Sequence, residues 1–207
     1  MRTYIYIDGF NFYYRAVKGT PYKWINFKSL FEKLLSEQNQ IIKIKYFTAL
    51  VSGKYNPQKP IKQKTFIRAL ELTIPEIEIF YGHFLTHEVL APLAKPDTNK
   101  KSVKIIKTKE KGSDVNIAVQ LLNDAWLNKF DCAVVVSNDS DLSEAMKLVK
   151  RHHPNKKLGL FMPGKGHPSK ELMQYADFVK RIREGVLASS QLPDQILKAN
   201  IYKPENW

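Results

Sequence analysis

Four aspartates are the residues of this sequence best suited to do chemistry together. Asp8 ends the first strand-like run, and Asp114 lies in the first turn of a predicted helix. Asp139 and Asp141 follow the β-branched run 134–136. The carboxyl ends of parallel strands share one edge of an α/β sheet, so these acids converge if the first and central strands are neighbours. Clustered carboxylates raise their pKa values or require a cation, and a hard ion such as Mg²⁺ or Mn²⁺ suits oxygen ligands.

The sequence lacks the residue patterns of other catalytic and metal sites. It has no Ser/His/Asp or Cys/His arrangement and no Cys/His cluster with zinc-ligand spacing. His83 and His87 are four residues apart, but their stretch alternates like a strand, so they are not a helical metal pair. The loop 163–168 contains two glycines without the spacing of a P-loop. Metal-assisted hydrolysis needs no side-chain nucleophile and fits these absences.

The composition is strongly basic. The 207 residues include 33 Lys and Arg against 20 Asp and Glu, and the formal net charge of +13 predicts a polyanionic partner, above all nucleic acid. The densest positive segment, 95–111, leads directly into Asp114. In the segment 54–68, lysines beside an aromatic side chain suit a single-stranded nucleic-acid backbone, but a solvated helix face explains the charges equally well. The predicted contacts with nucleic acid are Lys107, Lys109, Lys111, Lys54, Lys62, Arg68 and Lys165.

Strand-like and helix-like segments alternate along the chain, which is typical of an α/β protein. The predicted strands are 4–7, 42–50, 77–81, 83–89, 103–108, 132–136, 158–161 and 177–179, with a loop at 91–102. The predicted helices are 10–17, 27–35, 61–72, 113–126, 142–149, 170–176 and 182–187. Asn26, Ser113 and Ser169 are expected to cap three of them. In the helix 113–126, we expect a buried stripe that includes Val115, Val119 and Trp126.

Three blocks of the sequence also resemble the signature blocks of the NYN domain, a branch of the PIN-like nuclease superfamily. They are IDGFNFY at 7–13, KGSDV at 111–115 and SNDSD at 137–141. The resemblance spans about residues 4–182 and implies a three-layer α/β/α sandwich with a mainly parallel central sheet and metal-dependent cleavage of RNA. By position, it implies metal ligands at Asp8, Asp114, Asp139 and Asp141, an active-site polar residue at Asn11 and a supporting hydrogen bond from Ser137. Gln120 stands where many relatives carry another Asp.

We therefore predict a Mg²⁺- or Mn²⁺-dependent ribonuclease in which one or two ions promote in-line hydrolysis and Lys111 binds a phosphate. A non-catalytic RNA-binding module and a scaffold with a relict pocket remain alternatives. An aspartyl-phosphate phosphatase is disfavoured, because Phe10 stands two places after Asp8.

We expect one domain over residues 1–188 and a tail, 189–207, that is a docking segment or partly disordered. The single cysteine, the lack of a signal-peptide layout and the lack of a long apolar run favour the cytoplasm. The oligomeric state is open. Trp24 and Trp207, taken as exposed, leave room for a homodimer.

Overall fold

The computed structural model describes residues 1–54, 56–97, 100–205 and 207, with side chains except at 96, 97, 100 and 198. Its strands are β1 (Arg2–Asp8), β2 (Gln40–Thr48), β3 (Ile77–Tyr81), β4 (His83–Asp97), β5 (Lys100–Lys111), β6 (Cys132–Val136), β7 (Lys157–Pro163), β8 (Phe178–Ile182), β9 (Gln195–Ile196) and β10 (Ile201–Tyr202). Its α-helices are α1 (Gly9–Phe12), α2 (Phe27–Leu34), α3 (Gln58–Thr73), α4 (Ser113–Trp126), α5 (Ser143–His152), α6 (Lys170–Met173) and α7 (Glu184–Ala188). A π-helical turn covers Tyr13–Val17, and 3₁₀ turns cover Ser140–Leu142 and Leu197–Ala199.

Six strands form one sheet in the order β3-β2-β1-β6-β7-β8, and each pairing in it is parallel. The first and central strands are neighbours, because β1 pairs with β6 from Thr3–Cys132 to Ile7–Val136. All five residues of β6 are buried, as expected for a strand that is covered on both faces. The geometric condition for convergence of the aspartates is therefore met.

Alternate side chains of the central strands pack into two separate hydrophobic cores. Ile5 and Val134 face a core built with α2, α3 and α7, whereas Tyr6 and Val135 face a core built with α4, α5 and α6. Since successive side chains of a strand point to opposite faces, one helical layer covers each side of the sheet. The predicted three-layer α/β/α sandwich with a mainly parallel central sheet is confirmed.

The turn after β1 depends on a close approach between two backbone segments. Helix α1 begins directly at Gly9, and a Cβ there would lie 2.6 Å from the carbonyl oxygen of Phe47 and 2.8 Å from the ring of Tyr46. Only glycine fits this position without displacing β2. The predicted helix 10–17 is divided, because α1 passes into the π-helical turn at Tyr13.

Strands β4 and β5 form a separate antiparallel hairpin rather than part of the central sheet. The predicted loop 91–102 is wrong for most of its length, because β4 continues to Asp97 and β5 begins at Lys100; residues 98 and 99 lie outside the described part. The ribbon exposes several large apolar side chains, among them Leu90 and Ile106. An isolated two-stranded ribbon gains little stability from burial, so its stability depends on its pairing and on its base.

The base of the hairpin is anchored beside the first helix. Phe84 of β4 packs edge-on against Phe10, with ring centroids 5.5 Å apart. The amide of Gly82, just before β4, donates to the Thr48 carbonyl oxygen at the end of β2. These contacts fix the start of the ribbon at the carboxyl edge of the sheet.

The described part of the tail, residues 189–205 and 207, packs against the domain itself. Leu192, Ile196 and Ile201 are buried in the core on the α2 side. The expectation that Trp24 is exposed is wrong, because it is fully buried, donates from Nε1 to the Pro193 carbonyl oxygen and contacts the Trp207 ring. Within the described ranges, no helix is both long enough and apolar enough to cross a bilayer.

Candidate active site

The ends of β1 and β6 are joined by a chain of hydrogen bonds through Ser137. Asp8, at the end of β1, accepts from the Asn11 amide at 2.9 Å and from the Ser137 hydroxyl at 2.9 Å. The same hydroxyl oxygen accepts from the Asp139 amide at 3.1 Å. Asp8 and Ser137 are buried, so these bonds hold one carboxylate in a fixed orientation at the edge of the sheet.

Asn11 organises a second link across this edge. Its side-chain oxygen accepts from the amide of Asn138 at 3.1 Å. Asn138 in turn accepts from the Ser169 amide at 2.7 Å and donates to the His167 carbonyl oxygen at 3.1 Å. The loops that follow β1, β6 and β7 are thereby tied together, and they form one continuous rim.

Three of the predicted metal ligands come together at this rim. One carboxylate oxygen from each of Asp114, Asp139 and Asp141 can be chosen so that all three lie within 4.8 Å of one another. Ligand oxygens of one Mg²⁺ lie up to about 4.2 Å apart, so only small side-chain movements would be needed. The Asp141 amide donates to Asp139 at 3.1 Å, which tightens the turn that carries both acids. An all-carboxylate set of this kind fits a hard divalent ion.

Asp8 faces the same cavity, although it lies outside that group of three. The cavity has a volume of about 280 Å³. It is lined by Asp8, Phe10, Asn11, Tyr14, Arg15, Glu110, Asp114 and Asp139. A larger cavity of about 470 Å³ lies between α3 and the tail and contains none of the predicted acids.

The acids perturb one another electrostatically. Burial raises the pKa of Asp114 from its ordinary value of 3.8 to about 6, and the charges of Asp8, Asp139, Glu110 and Asp141 add to this effect. Burial also raises the pKa of Asp8, while its hydrogen bonds from Asn11 and Ser137 lower it. A divalent cation would relieve this repulsion, and the observed donor set therefore fits a metal.

Glu110 is a site residue that the sequence analysis missed. It lies on β5, lines the cavity and accepts from the Ser113 amide at 3.2 Å and from the Ser113 hydroxyl at 2.8 Å. The predicted cap at Ser113 is therefore wrong: Gly112, with φ of 98°, precedes the helix, and the serine hydroxyl binds Glu110. The sequence did offer a signal for Glu110, because it is an acid four residues before Asp114 and near the end of a strand.

Two further cavity residues, Tyr14 and Arg15, were also missed. They lie on the π-helical turn, close after the motif that contains Asp8 and Asn11. The predicted continuation of the first helix was the available signal, because it extends the chain along the same rim. Gln120, by contrast, is not among the residues that line the cavity, and its side-chain oxygen accepts from the buried Lys45 Nζ at 2.6 Å.

The predicted RNA-binding residues lie on different elements of the fold. Lys107, Lys109 and Lys111 are exposed on one face of the hairpin, and Glu110 points to the other face. Lys54 and Arg68 are exposed, and Lys62 donates to the Glu205 carbonyl oxygen at 2.6 Å. The role of all of them in RNA binding stays a prediction.

Lys165 lies close to the cavity. It follows Gly164, where a Cβ would clash with the carbonyl oxygen of Arg15. The loop after β7 is thus pressed against the π-helical turn, and Lys165 is exposed beside it. Its contact with RNA also stays a prediction.

The protein is a parallel α/β/α sandwich with acids gathered at the carboxyl edge of its sheet, an arrangement that fits a PIN-like fold. The profile of the NYN domain matches residues 2–182, and the chain belongs to the NYN domain family. Among curated proteins, 6-hydroxy-3-succinoylpyridine 3-monooxygenase HspA of Pseudomonas putida (strain DSM 28022 / S16) is 32% identical over 236 residues. That match covers 100% of this chain and 75% of the relative.

Among solved structures, a protein of unknown function from Vibrio parahaemolyticus RIMD 2210633 has a similar fold. The TM-score is 0.57 with 18% identity, and the match covers 92% of this chain and 96% of the other. This similarity bears on the fold alone.

Proposed function

We propose that this protein is a metal-dependent ribonuclease that hydrolyses phosphodiester bonds at the acidic cavity. The observation that carries the proposal is the gathering of Asp114, Asp139 and Asp141 within 4.8 Å at the carboxyl edge of the sheet. This acidic cluster belongs to a chain with a net charge of +13. Lysines and arginines attract an RNA backbone, and the acids hold the ion that acts on it.

The acidic residues of the cavity have different roles in the proposed hydrolysis, and each role follows from the surroundings of the residue. Asp114, Asp139 and Asp141 would hold Mg²⁺ or Mn²⁺, which supplies an activated water and neutralises charge on the phosphate. Asp8 is held in place by hydrogen bonds from the Ser137 hydroxyl and the Asn11 amide, and its carboxylate adds to the acidic lining of the cavity.

Glu110 adds another carboxylate to the wall of the cavity. Because burial and neighbouring acids raise the pKa of Asp114 to about 6, its charge depends on whether a cation is present. Metal loading and ionisation of the cluster are therefore coupled.

A second candidate function is mono-oxygenation of the kind named for the HspA protein. It is supported by 32% identity over the whole of this chain. The donor set consists of carboxylates, however, whereas the non-haem iron sites of oxygenases combine two histidines with one carboxylate. The basic composition favours the ribonuclease, since a small hydroxypyridine needs no extended positive surface.

The test measures cleavage of single-stranded and structured RNA with Mn²⁺ by the wild type and by Asp139→Asn. Asp194→Asn is the matched control, because Asp194 is exposed and paired with Lys203. We expect Asp139→Asn to lose activity by about 100-fold or more, since even groups that support metal ligands cost 10–100-fold. The control should cleave like the wild type.

Equal cleavage by the wild type and Asp139→Asn would overturn the proposal. RNA binding that persists in EDTA, without turnover in Mn²⁺, would identify a non-catalytic module. Conversion of 6-hydroxy-3-succinoylpyridine in the presence of O₂ and a two-electron reductant, without RNA cleavage, would identify the second candidate.

A further inference from the structure

An exposed aromatic side chain stands beside the acidic cavity. Tyr14 is 60% exposed and lines the cavity, while its neighbour Tyr13 is 39% exposed. The two rings meet edge-to-face, with centroids 5.2 Å apart and an interplanar angle of 82°. This contact restricts the Tyr14 ring, which lowers the entropy cost of stacking a flat group on it.

A cation lies on the same ring. Lys18 Nζ is 4.7 Å from the centroid of Tyr14. A lysine has a flexible stem and can move to a phosphate when another group occupies the ring. An aromatic ring next to positive charge is the combination that binds single-stranded nucleic acid without reading its sequence.

Arg15 supplies a second cation at the mouth of the cavity. Its side chain is exposed and lines the cavity together with four acids. In the described part of the chain, no carboxylate lies within ion-pair distance of its guanidinium. Its backbone is covered by the loop at Gly164, so the position of Arg15 is fixed while its side chain stays accessible. A guanidinium so placed is suited to a phosphate.

We infer that Tyr14 and Arg15 form a subsite for single-stranded RNA beside the cavity, with a base stacked on Tyr14 and an adjacent phosphate bound by Arg15. The inference rests on the proposed function and extends it to the form of the substrate. A base inside a duplex is already stacked on its neighbours, so only an unpaired nucleotide can use the ring. The subsite holds one nucleotide close to the acids and thereby positions the strand for cleavage.

The experiment measures binding of the full chain to fluorescein-labelled 12-nucleotide RNA by anisotropy, in EDTA so that no cleavage occurs. The RNA is used single-stranded and annealed to its complement. We expect Tyr14→Ala and Tyr14→Leu to weaken single-strand binding by about fivefold or more, and Tyr14→Phe to bind like the wild type. Arg15→Ala should weaken binding and reduce the slope of log K against log salt by about 0.7.

Arg151→Ala is the matched control, because Arg151 is an exposed arginine in the last turn of α5. We expect it to lower affinity less than Arg15→Ala. Tyr14→Leu keeps an apolar side chain without a flat ring, so it separates stacking from simple packing. Thermal denaturation of each variant shows whether the fold is retained.

Unchanged affinity of both Tyr14→Ala and Tyr14→Leu would overturn the subsite, as would equal effects on the duplex. So would an absence of single-strand binding by the wild type. These outcomes are distinguishable from failure of the proposed function, which is measured as turnover in Mn²⁺. A protein that binds through Tyr14 and never cleaves would retain the subsite and lose the ribonuclease.

Discussion

Asp114→Asn should stabilise the metal-free protein near neutral pH while it weakens metal binding. Burial and the surrounding acids raise the pKa of Asp114 from 3.8 to about 6. The folded protein therefore holds this proton more tightly than the unfolded chain does. Stability then falls as the pH rises from about 4 to about 6 and remains lower above that range. An asparagine carries no charge, so the penalty disappears.

The magnitude follows from the pKa difference of about two between the two states. At about 1.4 kcal/mol per pH unit, the difference corresponds to about 3 kcal/mol as an upper bound. Asp114 is only half-buried, so solvent screening reduces this figure to about 1–1.5 kcal/mol. For a chain of this length, the melting temperature should rise by about 2–6 °C.

The assay is thermal denaturation in EDTA at pH 7.5 and at pH 5, followed by titration with Mn²⁺. The gain should be largest at pH 7.5 and should shrink at pH 5, where Asp114 of the wild type is mostly protonated. Mn²⁺ should stabilise the wild type by about 2.7 kcal/mol at 100 times its Kd. The variant should need a higher Mn²⁺ concentration for the same shift.

Asp131→Asn is a control of opposite sign. The Arg2 guanidinium beside Asp131 lowers the pKa of that carboxyl to about 2, so its contribution is present above about pH 4 and is lost as the pH falls towards 2. This variant should melt below the wild type at pH 7.5. A lower melting temperature for Asp114→Asn in EDTA at pH 7.5 would refute the electrostatic reasoning.

Three further variants test other parts of the structure. Gly9→Ala should lower the free energy of unfolding in urea by about 2 kcal/mol, because its Cβ would lie 2.6 Å from a carbonyl oxygen of β2. Asp124→Asn should cost about 3 kcal/mol in the same assay, since Lys45 would keep a buried charge without its anionic partner at 2.6 Å. Ser137→Ala should move the acid limb of the pH–rate profile for RNA cleavage to higher pH, because Asp8 loses a hydrogen bond that lowers its pKa.

Each of these has its own check. Gly185→Ala should leave stability unchanged or slightly raised, since among the described residues no atom outside the local helix backbone lies within 4 Å of the new Cβ. The double variant Lys45→Met with Asp124→Leu should recover much of the loss, because an apolar pair replaces the buried ions. If both single and double variants are equally unstable, the ion pair is not the cause. An unchanged pH profile for Ser137→Ala would show that protonation of Asp8 does not limit cleavage.

The central sheet and the convergence of the acids were predictable from local patterns. The β-branched run at β6 indicated a strand covered on both faces, and the acid-bearing turns after β1 and β6 followed from strand ends. The caps at Asn26 and Ser169 were also predictable, and each accepts from the expected backbone amide. In these places, one short segment carries the whole signal.

The buried face of helix α4 is determined by tertiary packing, which the local sequence pattern does not specify. Helix α4 is apolar around most of its circumference, so periodicity could not select its buried face; Ile117 and Leu121 are buried, whereas Val115, Val119 and Trp126 are about half exposed or more. The prediction of a stripe containing the last three was therefore wrong.

The length of the hairpin strands was underestimated, because β4 contains prolines. Pro92 pairs with Ser102 in a two-stranded ribbon, where every strand is an edge and a proline is tolerated. A rule that treats proline as a strand breaker ends β4 too early. Glu110 was missed for a different reason: its place in the cavity depends on the register of this ribbon, which local patterns do not specify.

The pairing of β1 with β6 has a consequence for the order in which the protein is made. Asp8 and its hydrogen-bond partner Ser137 are 129 positions apart, and Asp139 follows just after the serine. A ribosome that adds about 5–20 residues per second therefore exposes the first acid many seconds before the others emerge from the exit tunnel. Throughout that interval the nascent chain cannot assemble its acidic cluster, so the site forms only after the segment that carries Asp139 and Asp141 has emerged.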